Sequence, residues 1–400
     1  MSFTTLPEAI DWLYSTQMFG IKLGLDNITR LLNESLSFPS AKTKVVQIVG
    51  TNGKGSTSAF LESVARAHGI RTGLFTSPHL ITFNERTRVN GLNIPDEDLL
   101  TLLNFFKDLV ADWDPHPTFF ELSLAIAMKH FKDRECELII LEAGMGGRLD
   151  ATSAVPKDVA VITPIGLDHQ EYLGDTLADI AGEKGAIMRP NVPCITAPQE
   201  PAAIQTLHQI ASETRCDLTT IRNPIEGYHL GLQGEHQKWN AALAIEALCA
   251  IKPDLNYASV AEGLQTVSWP GRFQELNIED HLVILDCSHN VPAITALINQ
   301  WQARFGQTKA HLIFGAARDK NIEGVLTLLL PLCQSVEVYQ LKNPRAESTA
   351  NLASLVRQLS PELPCRELDS LDSATIQPHT LITGSVFLAG ETLEHFSKKH

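Results

Sequence analysis

The segment Gly50-Thr51-Asn52-Gly53-Lys54-Gly55-Ser56-Thr57 constrains this chain more than any other. Before it stands a β-branched run, Lys44–Val49 (KVVQIV), that reads as a strand. After it, Ser56–His68 reads as a helix stopped by Gly69. The glycines let consecutive backbone N–H groups turn toward one concavity, the helix N-terminus adds its positive dipole, and Lys54 adds a point charge. Together these favour a bound phosphate. The widespread G-x-x-x-x-G-K-[ST] spacing is not met, because position 48 is Ile and Gly55 separates Lys54 from the hydroxyls. The loop is therefore a P-loop variant, and Asn52, Gly53, Lys54, Gly55 and Ser56 are its candidate phosphate-binding residues.

The rest of the chain supplies the fold that such a loop needs. Arg71–Thr76 (RTGLFT) reads as a second strand, and Glu137–Leu141 and Val159–Thr163 are apolar runs of the kind buried on both faces of a parallel sheet. Asp96–Val110, Thr118–Phe131 and Asn240–Ile251 carry helical patterns between and after them. The grammar breaks near Trp269-Pro270-Gly271-Arg272 and restarts with Leu282–Leu285, His311–Phe314, Val336–Leu341 and Leu381–Thr383. The expectation is an α/β protein in two parts: a P-loop-type, mostly parallel ATPase domain over 1–275 and a smaller Rossmann-like α/β domain over 276–400.

Composition removes several alternatives. Of 400 residues 44% are hydrophobic and 20% charged, which excludes disorder and fibrous repeats. The net charge of −14 argues against a nucleic-acid binder, although local clusters of Arg and Lys can still hold small anions. No apolar stretch is long enough to span a membrane, and the N-terminus lacks the basic and apolar regions of a signal peptide. The seven cysteines, at 136, 194, 216, 249, 287, 333 and 365, form no CxxC pair and read as reduced thiols of a cytoplasmic protein.

Several polar residues follow predicted strands, at the edge where open α/β sheets bind ligands. Ser77 follows Arg71–Thr76, Glu142 ends Glu137–Leu141, and Asp168-His169 follows Val159–Thr163. With Ser56 they form a convergent set of hard donors for Mg²⁺. Gly144-Met145-Gly146-Gly147-Arg148 resembles half of a dinucleotide fingerprint, but the third glycine falls on Leu149. Lys184 reads from composition as a solvated surface lysine. Cys287 with His289 could suggest a thiol nucleophile, yet residues two apart face differently.

Taken in order, the motifs are similar to those of the folylpolyglutamate synthases, often combined with dihydrofolate synthase, within the Mur ligase superfamily. The matching text is Gly50–Thr57, Thr76-Ser77-Pro78-His79-Leu80, Glu85–Val89, Thr118–Glu121, Leu141–Thr152 and Leu167-Asp168-His169. It continues through Glu183-Lys184, Asn240-Ala241-Ala242, Pro270–Phe273, Asp286–Asn290 and Thr383-Gly384-Ser385. The resemblance implies that Lys54 and the amides of Asn52–Ser56 bind ATP phosphates, and that Ser77, Glu142 and His169, with Ser56, ligate Mg²⁺. K⁺ is a further candidate ion. It implies that Lys184 carries a carbamate and joins Lys54 and His169 in catalysis, and that Asn240, Arg272 and Asp286 contact the nucleotide. Thr118, Leu149, Asp150 and Ala151 would line the pterin pocket, and His289 and Ser385 would lie toward the incoming glutamate. The chain departs from the family at Ser153, where Asn is common, and at Cys287-Ser288, where Gly-Ala is frequent. It also has Lys22 where bifunctional members can carry Asp.

The implied reaction is ATP-dependent amide formation between L-glutamate and a folate or dihydropteroate, through an acyl phosphate, in a cytoplasmic monomer without nucleic-acid or membrane partners. Two other readings stay open at this stage. A Mur-type ligase acting on a peptidoglycan precursor would usually carry a UDP-binding domain, and only 49 residues precede Gly50. A P-loop nucleotide-binding switch without ligase chemistry would turn over ATP with neither co-substrate.

Overall fold

In the computed structural model, which describes residues 2–19 and 24–397, the KVVQIV run becomes β1 (Lys44–Val49), buried along its last five residues. Around it an eight-stranded sheet assembles from β2 (Thr72–Phe75), β3 (Thr87–Val89), β4 (Leu92–Asn93), β5 (Leu138–Glu142), β6 (Val159–Ile162), β7 (Cys194–Thr196) and β8 (Leu218–Thr220). The order is β4-β3-β2-β5-β1-β6-β7-β8. All pairings from β2 to β8 are parallel, and only β3 and β4 run antiparallel at one edge.

Helices cover both faces because the central strands are apolar on both. On one face Val45, Phe75, Ile139 and Leu141 pack against Leu122, Ile126 and Phe131. On the other, Val49, Ala160 and Ile162 pack against Ile180, Ile187 and Leu207. Phe75 and Phe131 are fully buried, and each such ring is worth about 2–3 kcal/mol in area removed from water. Gln47, in the middle of β1, is the polar exception at 0% exposure. Its Nε2 donates to Thr152 Oγ1 (2.7 Å) and Ser153 Oγ (2.9 Å), and its Oε1 accepts from Lys157. A buried polar side chain must be satisfied, and this one is satisfied by pinning the loop after β5.

A six-stranded sheet forms separately, from β9 (Gln274–Ile278), β10 (His281–Leu285), β11 (Ala310–Phe314), β12 (Cys333–Tyr339), β13 (Cys365–Leu368) and β14 (Thr380–Thr383). Its order is β13-β12-β11-β14-β10-β9, parallel except for the β9 edge. Trp301, Leu326, Leu352 and Val356 fill its core. Met1–Gly231 with Lys238–Val267 form one compact unit, and Leu232–Gln237 with Ser268–His400 the other. Among the described residues no helix is long and apolar enough to cross a membrane.

Candidate functional site

The glycine-rich loop leaves β1 and enters the helix Lys54–Ala67 through Gly53, which sits at φ 89°. A Cβ on Gly53 would meet Asn240 Oδ1 at 2.5 Å, and one on Gly50 (φ 148°) would meet Thr163 Oγ1 at 1.8 Å. Both positions are closed to any side chain. The loop is tied to the segment after β6: Thr51 N donates to Pro164 O (3.0 Å), and Thr51 Oγ1 and Gly166 exchange two bonds at 3.0 Å. Replacing Gly50 by Ala should therefore destabilise the protein by about 2–3 kcal/mol and abolish nucleotide affinity, measurable by thermal melting and nucleotide titration.

Two lysines meet on one carbonyl of this loop. Lys54 Nζ donates to Gly50 O (3.2 Å) and Thr51 O (3.1 Å), and Lys184 Nζ donates to the same Gly50 O at 2.8 Å. Lys184 is 3% exposed, so it is not the surface lysine that composition suggests. It sits near the end of the helix Leu177–Gly185, whose N-terminus is fixed by a Thr176–Asp179 capping box. That helix is held to the loop after β5 by Arg148, which pairs with Glu183 at 2.8 Å. Burial pushes the Lys184 amine down to about 7, and the neighbouring Lys54 charge pushes the same way.

Glu142 ends β5 abreast of Ile48, 5% exposed, and accepts from Ser77 N at 3.2 Å. Ser56, 2% exposed, lies in the first turn of the helix Lys54–Ala67. His169 takes a left-handed backbone (φ 53°) and follows the Pro164–Gly166 segment to which the loop is bonded. One carboxylate, two hydroxyls and an imidazole are donor types that a divalent cation such as Mg²⁺ or Mn²⁺ could take, and of the four residues Glu142 and Ser77 are in direct contact. Among the described residues no group of three or more His, Cys, Asp and Glu could hold a metal by itself. The buried Thr163 hydroxyl has no hydrogen-bond partner and faces Gly50, leaving polar capacity beside the loop.

Other expected site residues have structural duties. Thr118 caps the helix Phe119–Asp133, accepting from Glu121 N (3.3 Å) and donating to Glu121 Oε2 (2.8 Å). Asp150 is 8% exposed and accepts from Gly144 N, Met145 N, Thr152 N and Thr152 Oγ1 at 2.6–3.0 Å. Burial raises its pKa, and those four donors oppose the shift. It shapes the loop that presents half-buried Leu149 and buried Ala151. Ser153, standing where the family has Asn, donates to Gly147 O at 2.6 Å. Lys22 lies outside the described residues.

In the second unit Asp286 accepts from Phe273 N (2.7 Å) and Ser288 N (2.8 Å), while Arg272 donates to Gly271 O (3.1 Å). His236, which sequence reasoning did not single out, feels the charges of both. His289 Nδ1 lies 2.9 Å from Cys287 O, and Ser385 Oγ accepts from Phe387 N at 3.1 Å. Burial pushes the Cys287 thiol up to about 11, so almost no thiolate exists at neutral pH and the nucleophile reading falls away. Sequence reasoning also missed a cluster in the first unit, in which Tyr14, His79 and Arg86 bond in series. Arg86 and His79 fall inside quoted motifs, but nothing in the sequence marks Tyr14.

Residues 48–197 match the Mur ligase middle domain, and residues 271–378 match the Mur ligase, glutamate ligase domain. The chain is 33% identical over 383 residues to the dihydrofolate synthase/folylpolyglutamate synthase of Bacillus subtilis, covering 88% of each. Among solved structures it resembles Escherichia coli FolC in complex with DHPP and ADP, at 28% identity, 98% coverage of both chains and a TM-score of 0.86. It also resembles a bifunctional folylpolyglutamate synthase/dihydrofolate synthase with Mn, AMPPNP and L-glutamate bound, at 28% identity, 97% and 98% coverage and a TM-score of 0.85.

Proposed function

Because this chain belongs to the folylpolyglutamate synthase/dihydrofolate synthase family of the Mur ligases, we propose that it joins L-glutamate to folates, and to dihydropteroate, at the expense of ATP. The observation that carries the reading is the convergence of Lys54 and Lys184 on the Gly50 carbonyl, with Glu142 and Ser77 joined at the end of the next strand. A carboxylate is a poor electrophile. Transfer of the γ-phosphoryl group of ATP onto its oxygen releases ADP and gives an acyl phosphate. The glutamate amine then attacks the acyl carbon, loses a proton, and inorganic phosphate leaves.

The protein's share of this chemistry is positioning and charge. The loop N–H groups and Lys54 hold the phosphates, and Lys54 neutralises charge that spreads over the transferring group. Ser56, Ser77, Glu142 and His169 would hold the divalent ion. When bound, that ion would supply positive charge against the phosphate oxygens and so help to stabilise the transition-state charge. Asn240 and Ala151 with Leu149 serve the nucleotide and pterin respectively, and His289 and Ser385 the incoming glutamate. The proposal includes a cytoplasmic location, with which seven free cysteines are in keeping, and a monomeric state.

Incubation with MgATP and L-glutamate, offering dihydropteroate or tetrahydrofolate, should yield both glutamylated products by mass detection. ATP turnover that needs neither co-substrate would overturn the reading. Arg272 is expected to contact the nucleotide. Loss of one charge-assisted hydrogen bond in Arg272→Ala should weaken ATP binding about 10-fold or more, read by equilibrium titration.

A further inference from the structure

Tyr14 stands at the end of the helix Leu6–Ser15, 37% exposed, with its ring stacked on Phe119 (5.4 Å between centroids, 10° between planes). Its hydroxyl lies 3.1 Å from His79 Nε2. The other ring nitrogen, Nδ1, receives a hydrogen bond from Arg86 Nε at 2.8 Å. A guanidinium has no acceptor, so Nδ1 must be the bare nitrogen of a neutral imidazole and the ring proton must sit on Nε2. His79 Nε2–H thus donates to Tyr14 Oη, and the Tyr14 hydroxyl must aim its own proton elsewhere. Burial raises the Tyr14 phenol, which keeps that proton in place at neutral pH.

The arrangement is costly to build. Arg86 is 7% exposed, lies over the rings of Phe119 (5.1 Å) and Phe83 (5.8 Å), and is desolvated enough to fall to about 10. It spends its Nε donor on a neutral imidazole. What the relay delivers is an oriented proton donor on an aromatic wall. That wall is the Phe119 ring, next to Thr118 of the expected pterin pocket. Arg86 also feels the charge of Glu142, so the donor belongs to the same corner of the first unit as the phosphate-side residues.

We propose that Tyr14 is a substrate-binding residue that donates its phenolic proton to an acceptor atom, a carbonyl oxygen or ring nitrogen, of the aromatic acyl substrate. His79 and Arg86 are the positioning residues that fix the direction of that donor. The inference rests on the proposed folate-ligase reading. Tyr14→Phe keeps the stacked ring and removes only the donor. It should raise KM for the acyl substrate about 5- to 10-fold, the worth of one neutral hydrogen bond, while kcat and the KM values for ATP and glutamate stay unchanged. Arg86→Lys keeps the charge but frees the imidazole tautomer, and should raise the same KM. In the Tyr14→Phe background it should add no further rise, because the relay acts only through the missing hydroxyl. An unchanged KM in Tyr14→Phe, or full additivity of the two substitutions, would overturn the inference. A wild-type protein that glutamylates neither substrate would instead overturn the parent reading.

Discussion

Lys54→Ala should lower kcat/KM for glutamate ligation by about 10³-fold or more and leave the fold intact. The side chain is anchored only to loop carbonyls, Gly50 O at 3.2 Å and Thr51 O at 3.1 Å, and contributes nothing to the apolar cores. Removing it costs hydrogen bonds worth about 1 kcal/mol, so the melting temperature should move by only a few degrees. Catalysis loses much more, because the ammonium is the loop's point charge against a phosphoryl group whose charge spreads in the transition state. The check is a pair of measurements on one preparation, kcat/KM and Tm. A melting drop comparable to a core cavity, about 3–5 kcal/mol, would assign Lys54 to structure instead.

Lys184→Ala should remove most activity, and a short carboxylate such as acetate in the buffer should restore part of it. The amine is 3% exposed, donates to Gly50 O at 2.8 Å, and is brought down to about 7 by burial and by Lys54. A substantial neutral fraction therefore exists at physiological pH. The neutral amine can add CO₂, releasing a proton and leaving a carbamate, whose oxygens are the donors a hard cation prefers. Activity of the wild type should accordingly rise with added bicarbonate, and that of Lys184→Ala should not. The same shift fixes the sign of a stability effect. An unfolded lysine holds its proton to about pH 10, whereas the folded one, without CO₂, gives it up near 7. Between those values the unfolded chain binds more protons, so in CO₂-free buffer this group makes the folded state gain stability as pH rises through that window. Denaturant titrations at pH 7 and 9 should show the gain in the wild type and lack its Lys184 share in Lys184→Ala. Equal gains in the two would place the lysine in contact with solvent.

The strands that position the loop were legible because most of them are short, largely apolar runs. β1 and β11 follow KVVQIV and His311–Phe314 to within one residue. β7 and β8, three residues each, and the two-residue β4 are too short to carry a period, and their pairing comes from the sheet beside them. The phosphate loop was legible because glycine, lysine and hydroxyl fall within eight positions. Lys184 was not, since its burial depends on a carbonyl 134 residues away. Tyr14 is the extreme case, because the partner of its hydroxyl lies 65 residues on and no local pattern announces it. Asp150 and Thr118 were read from their motifs as pocket residues, and the structure adds that both carry the local backbone.

The most direct test of the ligase mechanism follows oxygen. Dihydropteroate carrying ¹⁸O in its carboxylate, incubated with the protein, MgATP and L-glutamate, should pass one labelled oxygen to inorganic phosphate for each amide bond formed, with ADP as co-product. Unlabelled phosphate alongside the amide product, or label appearing in AMP, would contradict the acyl-phosphate account.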